Sequence, residues 1–174
     1  ISYMPQRRTT PDISAESLVL HGRFCWLGYP RVYGSADRQV AQQAMQRLGI
    51  ASLGERRLAE LSGGEQQRVY LAMQLAQGAK ALLMDEPTTY LDIAHQLELL
   101  ELIKTLKEEG KAIVMVLHDL DAALSIADQV VVMQGGRVLE AGQPEQVIAS
   151  GAVDEAFAVR VIREERFGAK LSDK

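Results

Sequence analysis

The chain has 174 residues, 47% of them hydrophobic and 24% charged, and this balance excludes an intrinsically disordered polymer. The net charge is −4 with both signs interleaved, which disfavours a general surface for nucleic acid or for anionic membranes. Cys25 is the only cysteine, so an internal disulfide is excluded and a reducing compartment is expected.

The first half of the chain predicts a helical lobe. It begins with ISYMPQ, which reads as the end of a strand whose neighbour is missing, so we expect a fragment of a longer protein. One helix is predicted after Ser14, which can cap it. Two more are predicted over Asp37–Leu48 and Leu61–Gln77, because apolar residues recur there at helical spacing.

The second half alternates strands and helices. ALLMDEP at residues 81–87 and AIVMVLHD at 112–119 are short apolar runs that predict buried strands. Between them, Asp92 is predicted to cap a long helix that ends at Gly110. Its predicted apolar stripe consists of Ile93, Leu97, Leu100, Ile103 and Leu106.

Short elements follow the second buried strand. Helices are predicted at 121–127 and 143–149, and the strands QVVVM and RVLEAG flank the hairpin signal Gly135-Gly136. The order strand–helix–strand–helix–strand indicates an α/β fold with a parallel sheet covered on both faces. The tail, from Val153 onward, contains an alternating VRVIRE piece.

The stretch SGGE places two glycines in the first turn of the third helix. Ser62 and Glu65 match a capping box, which taken alone is most often only a cap. Glycine in a first turn costs about 1 kcal/mol relative to alanine, so a purely structural cap would not favour two in succession. Glycine does let a bulky anion approach bare N–H groups at the positive end of the helix dipole. We therefore predict a phosphate held by the Ser62 hydroxyl and the amides that follow it.

Polar residues also follow the predicted strands. Asp85 and Glu86 lie at the carboxyl end of a strand, where open α/β sheets bind ligands. Asp85 could orient Mg²⁺ through its waters and Glu86 could polarise an attacking water, although a pair of solvated acids is the alternative. His118 closes the second strand and could contact a terminal phosphate, although a histidine there is more often structural. Gln6, taken alone, is an ordinary loop glutamine.

LSGGEQQR, ALLMDEP, TTYLD and LHD, in this order and at these intervals, resemble the ATP-binding cassette ATPases. By that resemblance Leu61–Glu65 is the signature motif, Ala81–Glu86 the Walker B strand, Leu91-Asp92 part of the D-loop, His118 the switch histidine and Gln6 the Q-loop glutamine. YMPQ, EPTTYLDIAHQ and VLHDL are similar to the subfamily that serves importers of iron–siderophore, haem and cobalamin.

The resemblance implies a partial P-loop NTPase fold, with a RecA-like parallel sheet and an inserted helical signature subdomain. The expected segments are the end of a strand with the Q-loop at 1–9, the helical subdomain at 10–77, the core at 78–152 and a tail at 153–174. The family's phosphate loop, G-x-x-x-x-G-K-[ST], is not found in the sequence. We expect it, with the N-terminal strands, in a preceding part of the protein, and we expect these 174 residues alone to be inactive.

The resemblance also implies roles for the site residues. Catalysis would fall to Glu86 as general base, with His118 and Gln6. The nucleotide of a second copy would be bound by Ser62, Gly63, Gly64, Glu65 and Asp92. Asp85 and Gln6 would hold Mg²⁺.

The implied activity is Mg²⁺-dependent ATP hydrolysis by a head-to-tail dimer at the cytoplasmic face of the membrane. The implied partners are permease subunits and, indirectly, a substrate-binding protein, without nucleic acid. One rival is a cassette ATPase that acts on ribosomes or DNA, but no charged linker or long coiled coil is visible. A second rival is an interaction module that uses only the helical lobe, which would need neither Walker B acids nor His118.

Overall fold

The computed structural model describes residues 1–6, 10–89 and 91–157. The chain divides into two compact units, Ile1–Val116 and the part from Leu117 onward, and each is described by itself. The VRVIRE piece lies outside the described residues. Over the described ranges, no helix combines the length and the hydropathy that a membrane span requires.

The described residues of the first unit form three strands and four helices. The strands are β1 (Ser2–Met4), β2 (Ala81–Asp85) and β3 (Ala112–Val116). The helices are α1 (Ala15–His21), α2 (Ser35–Arg47), α3 (Gly63–Ala76) and α4 (Ile93–Glu108). Single 3₁₀ turns occur at Phe24–Trp26, Ala51–Leu53 and Leu58–Glu60.

The three strands form a parallel sheet with β2 in the centre. Met84 pairs with Met4 on one side and with Met115 on the other, so the three strands end at the same edge. This confirms the predicted α/β class and its parallel sheet. Asp85 lies at that edge as the last residue of β2, Glu86 follows it directly, and Gln6 comes two residues after the end of β1.

Only one face of this sheet is well covered. Leu82 and Met84 are 1% and 0% exposed. On the opposite face Tyr3, Leu83 and Val114 are register partners, and they are 53%, 36% and 61% exposed. The expectation of a sheet covered on both faces is therefore wrong for the described part of the chain.

Helices α1, α2 and α3 pack together as the predicted helical lobe. Ser14 caps α1 by accepting a hydrogen bond from the amide of Ser17 at 3.2 Å, as predicted. Helix α2 begins at Ser35, two residues before the predicted start. The reason is that the Asp37 carboxylate accepts from the amide of Gly34 at 3.1 Å, so Asp37 lies inside the first turn.

Helix α4 is capped by Asp92, as predicted, through a 2.9 Å hydrogen bond from the amide of His95. Its buried residues are Leu99, Ile103 and Leu106, whereas Ile93 is 72% exposed. The predicted stripe was therefore wrong at its start. Apolar residues occur almost all round this helix, and the face that is buried depends on what packs against it.

Up to Phe157, where the described residues end, the second unit contains a two-stranded hairpin and three short helices. The helices are α5 (Leu120–Ile126), α6 (Pro144–Ala149) and α7 (Ala152–Phe157). Strands β4 (Val130–Gln134) and β5 (Arg137–Gly142) are antiparallel, and their turn residues Gly135 and Gly136 have φ of 57° and 77°. The hairpin was predicted, but β4 pairs with β5 and does not extend the parallel sheet. Val132, Val147, Ala152 and Val153 form its core.

Candidate functional site

The signature helix α3 begins with the predicted capping box. The Ser62 hydroxyl accepts from the amide of Glu65 at 3.3 Å. The Glu65 carboxylate accepts from the Ser62 amide at 2.8 Å and from the Ser62 hydroxyl at 2.9 Å. The hydroxyl proton of Ser62 is therefore already engaged with Glu65, and a phosphate would have to displace that contact to receive it.

The amides of Gly63 and Gly64 are the donors that remain at this turn. Within the described residues, neither N–H has a hydrogen-bond acceptor, as expected at the first positions of a helix. Both lie in the first turn, at the positive end of a 14-residue helix. The turn can therefore offer two backbone donors to an anion without breaking any internal hydrogen bond.

Glu65 brings a negative charge close to this turn. Hydrogen bonds from the backbone and then the hydroxyl of Ser62 hold the pKa of the Glu65 carboxyl below its ordinary value of 4.5. The carboxylate is therefore ionised at neutral pH and strengthens the cap. It also opposes an incoming anion, so the two glycine amides must carry most of any phosphate contact.

The polar residues after the glycines fasten α3 to its surroundings. Gln66 donates from Nε2 to the carbonyls of Leu58 and Leu61, at 3.0 Å each. Gln67, which is buried, donates to the carbonyl of Pro87 at 2.6 Å. The second of these links ties the signature helix directly to the loop that follows β2.

Arg68 makes a third link from α3, to helix α4. Its Nη2 lies 3.0 Å from Nε2 of His95, and its Nη1 lies 3.7 Å from the carboxylate of Glu98. The sequence motifs assigned no role to Gln67, Arg68 or His95. For Gln67 and Arg68 the available signal was the run of three polar residues, QQR, at the start of a helix that is otherwise largely apolar.

Glu86 has an unusual backbone conformation. Its φ is 50°, in the left-handed region that residues other than glycine rarely occupy, and such a conformation costs about 1–3 kcal/mol. Its amide donates to the carbonyl of Val116 at 3.0 Å, and its carboxylate accepts from the hydroxyl of Thr89 at 3.1 Å. Strain of this kind at a half-buried carboxylate indicates a position under functional constraint.

Asp92 and the loop before it lie next to the start of α3. A Cβ placed on Gly64 would come within 3.3 Å of Cδ2 of Leu91, so the signature turn and the predicted D-loop are in close contact. Asp92 accepts from the His95 amide, and this hydrogen bond lowers the pKa of the Asp92 carboxyl. The structure thus brings together the predicted signature and D-loop residues within one unit.

The remaining predicted residues lie further along the sheet edge or in the second unit. Gln6 is exposed, two residues beyond Met4. Asp85, half-buried, directly follows Met84, the register partner of Met4. His118 is exposed and belongs to the second unit.

The donors at the sheet edge fit Mg²⁺ in their chemistry. Asp85 supplies a carboxylate at the end of β2 and Gln6 an amide oxygen shortly after β1, and these two parallel strands are neighbours that end at the same edge. Mg²⁺ in proteins is commonly bound by one or two such oxygens together with waters and substrate phosphates. No cluster of three or more His, Cys, Asp or Glu side chains suited to a metal occurs among the residues that the structure describes.

Comparison with known proteins identifies the family. The sequence profile described as ABC transporter matches residues 1–89, and the chain belongs to that family. It is 39% identical to the iron(3+)-hydroxamate import ATP-binding protein FhuC of Bacillus subtilis over 162 residues, covering 91% of this chain and 60% of that protein. It is 36% identical to the ferric enterobactin transport ATP-binding protein FepC of Escherichia coli, covering 92% of this chain and 60% of that protein.

The fold is similar to that of solved transporters. An inward-facing structure of a metal-chelate type ABC transporter matches with a TM-score of 0.84 and 27% identity, covering 91% of this chain and 64% of that one. The predicted family and fold class are thus confirmed. The chain spans about 60% of the length of these curated relatives. The four predicted segments and the individual site roles stay predictions.

Proposed function

We propose that the chain is part of the ATP-hydrolysing subunit of an importer, and that its signature turn acts on a nucleotide held mainly by a second copy. The observation that carries the proposal is the start of α3, where Gly63 and Gly64 present amides without an internal acceptor next to the loop of Asp92. Two such donors to an anion are worth about 1.5–3 kcal/mol each.

Within the same proposal, Glu86 acts as the general base. Its strained backbone and its hydrogen bond from Thr89 fix the carboxylate at the carboxyl end of β2. A base in this position orients and deprotonates the water that attacks the terminal phosphate. For His118, in the second unit, the resemblance of LHD alone supports a contact with that phosphate.

Mg²⁺ fits beside Asp85 and Gln6. When bound, the ion would neutralise charge on the phosphates and so make the terminal phosphate a better electrophile. Asp85 would hold the ion through its carboxylate or through the ion's waters, and Gln6 through its amide oxygen. Glu65 and Asp92 would shape the opposite side of the nucleotide site, as caps of α3 and α4.

The proposed partners follow from the relatives. FhuC and FepC are named as import and transport ATP-binding proteins for iron chelates, which supports an iron–siderophore or related metal chelate as the solute here. Permease subunits, a second ATPase subunit and, indirectly, a substrate-binding protein would complete the assembly at the cytoplasmic membrane face. Uptake of radioactive iron–siderophore that disappears on deletion of the gene would support this solute class. Unchanged uptake of iron chelates, with loss of cobalamin uptake, would contradict it.

Mixing two single variants tests whether the site is shared between copies. Glu86→Gln removes the base, and Gly64→Asp puts a carboxylate where the phosphate would bind, while an acidic residue in the first turn still suits the helix dipole. If each site combines Glu86 of one copy with Gly64 of the other, a mixed pair keeps one intact site. Equal mixing of the two inactive variants in the native assembly should then restore about a quarter of the wild-type ATPase rate.

The control is an equal mixture of wild-type copies with copies that carry both substitutions. In that mixture every mixed pair lacks both sites, so only wild-type pairs contribute. If the mixture of the two single variants shows no ATPase activity, Glu86 and Gly64 belong to the same site of one copy. That result would overturn the shared site.

A further inference from the structure

A polar network joins the signature helix α3 to helix α4. Nη2 of Arg68 lies 3.0 Å from Nε2 of His95, and Nδ1 of His95 lies 2.9 Å from Oδ1 of Asp92. The contacts therefore run without a break from α3 to the carboxylate that caps α4. A small cavity of about 30 Å³ is lined by Arg68 and His95 themselves and by apolar side chains that include Leu71 and Leu99.

We propose that Arg68 and His95 are positioning residues that hold the signature turn (residues 62–65) at a fixed position relative to Asp92, and that protonation of His95 releases it. The inference rests on the proposed function, because this relative position matters only if the turn and the D-loop together act on a nucleotide. Neither residue touches the proposed reacting atoms. They act through Gly64 and Asp92.

The hydrogen-bond roles in the network require a neutral His95. Arginine has donors only, so Nε2 of His95 must accept from Arg68. The proton of the ring is then on Nδ1, where it is donated to Asp92. The geometry thus fits a single tautomer of the neutral imidazole.

A second proton on His95 would break the contact with Arg68. It would place an N–H on Nε2, facing the guanidinium at a separation of only 3.0 Å. The charged groups that face His95 are Arg68 from α3 and Asp92 and Glu98 on α4. Glu98, whose carboxylate lies 3.7 Å from Nη1 of Arg68, offers the guanidinium another partner.

Burial makes Arg68 sensitive to the loss of this partner. Its side chain is 28% exposed, and its Nε is buried without a hydrogen-bond acceptor among the described residues. Its favourable contacts therefore come through Nη1 and Nη2 alone. A half-buried cation that loses one of these contacts must move, and α3 carries the signature turn with it.

The link through Gln67 is of a different kind. That amide is buried and donates to the Pro87 carbonyl at 2.6 Å, with no group that titrates near neutral pH. It fastens α3 to the loop after β2 at every pH. Arg68 and His95 form the adjustable link, since histidine is the side chain whose charge changes between about pH 5 and 8.

Replacing His95 by Gln tests the proton dependence. Glutamine offers an oxygen that can accept from Arg68 and an amide that can donate to Asp92, but it takes up no proton. In the native assembly, the ratio of kcat for His95→Gln to kcat for wild type should be near one at about pH 8 and rise severalfold by about pH 6. His21→Gln is the matched control, and its ratio should stay flat. A flat ratio for His95→Gln would overturn the proposal.

A double-mutant cycle tests whether Arg68 acts through His95. Arg68→Met should lower kcat about tenfold with little change in KM for ATP, and Arg38→Met, at an exposed position of α2, is its control. In the Arg68→Met background, His95→Gln should no longer alter the pH dependence. Independent effects of the two substitutions would overturn the inference. Glu86→Gln distinguishes a failure of this inference from a failure of the proposed function. If Glu86→Gln hydrolyses ATP at the wild-type rate, the proposed function itself is wrong.

Discussion

The hydrogen bond from Gln67 to Pro87 offers a direct test of how the signature helix is fastened. Gln67 is 8% exposed, its Nε2 lies 2.6 Å from the Pro87 carbonyl oxygen, and Pro87 is itself buried. Gln67→Met keeps the length of the side chain but removes the donor. The carbonyl is then left buried without a partner, which should lower the free energy of unfolding by about 1–3 kcal/mol.

Urea unfolding of the native protein measures this loss. Gln43→Met, at an exposed position of α2, changes the same chemistry without a buried acceptor and should stay within about 0.5 kcal/mol of wild type. The difference between the two variants isolates the buried hydrogen bond. Equal midpoints and slopes for the two variants would refute the reasoning, because the link from α3 to the loop after β2 would then contribute nothing to stability.

Three further predictions follow from the structure. Glu86→Gln should slow ATP hydrolysis by the native assembly about 10²–10⁴-fold with ATP binding intact, as measured by turnover and by equilibrium binding; normal turnover would remove Glu86 from the role of base. Leu106→Ala, at 0% exposure, should cost about 2–5 kcal/mol in denaturant unfolding, whereas Ile93→Ala, at 72% exposure, should cost less than about 1; equal losses would contradict the burial pattern of α4. The pKa of Glu65 is lowered in the folded state, so its contribution to stability is present above its ordinary value of 4.5 and is lost as the pH falls through the folded value. Glu65→Gln should therefore flatten the acid side of the plot of unfolding free energy against pH. An unchanged acid side would exclude the contribution.

Local sequence signals predicted most of the elements. Ser14, Ser62 and Asp92 each cap a helix through a side chain that accepts an amide three residues later. Short apolar runs marked β2 and β3. These features depend on neighbouring residues in the sequence, so a single sequence was sufficient to predict them.

Features that depend on tertiary packing were not predictable in the same way. Helix α4 has apolar residues on several faces, and only its neighbours decide that Leu99 rather than Ile93 is buried. Gly135 and Gly136 predicted the hairpin of β4 with β5, but no local signal showed that the apolar strand β4 would not also extend the parallel sheet. Pattern and periodicity carry no information on such choices of partner.

The same distinction between local features and tertiary contacts applies to the candidate site. The SGGE turn and the acids Asp85 and Glu86 are visible in short stretches of sequence. The links that fasten α3 to its surroundings, Gln67 to Pro87 and Arg68 to His95, connect residues 20 and 27 positions apart. No local pattern specifies such pairs, because they arise only once α3 has packed against the loop and helix that follow β2.

The position of the terminal phosphate relative to the signature turn tests the central claim most directly. A structure of the native assembly carrying Glu86→Gln, with ATP and Mg²⁺ bound, would measure the distance from the Gly63 and Gly64 amides to that phosphate. The account predicts N···O distances of about 2.7–3.2 Å, with the nucleotide held mainly by the other copy. A bound triphosphate with both amides facing solvent, more than about twice that distance away, would contradict it.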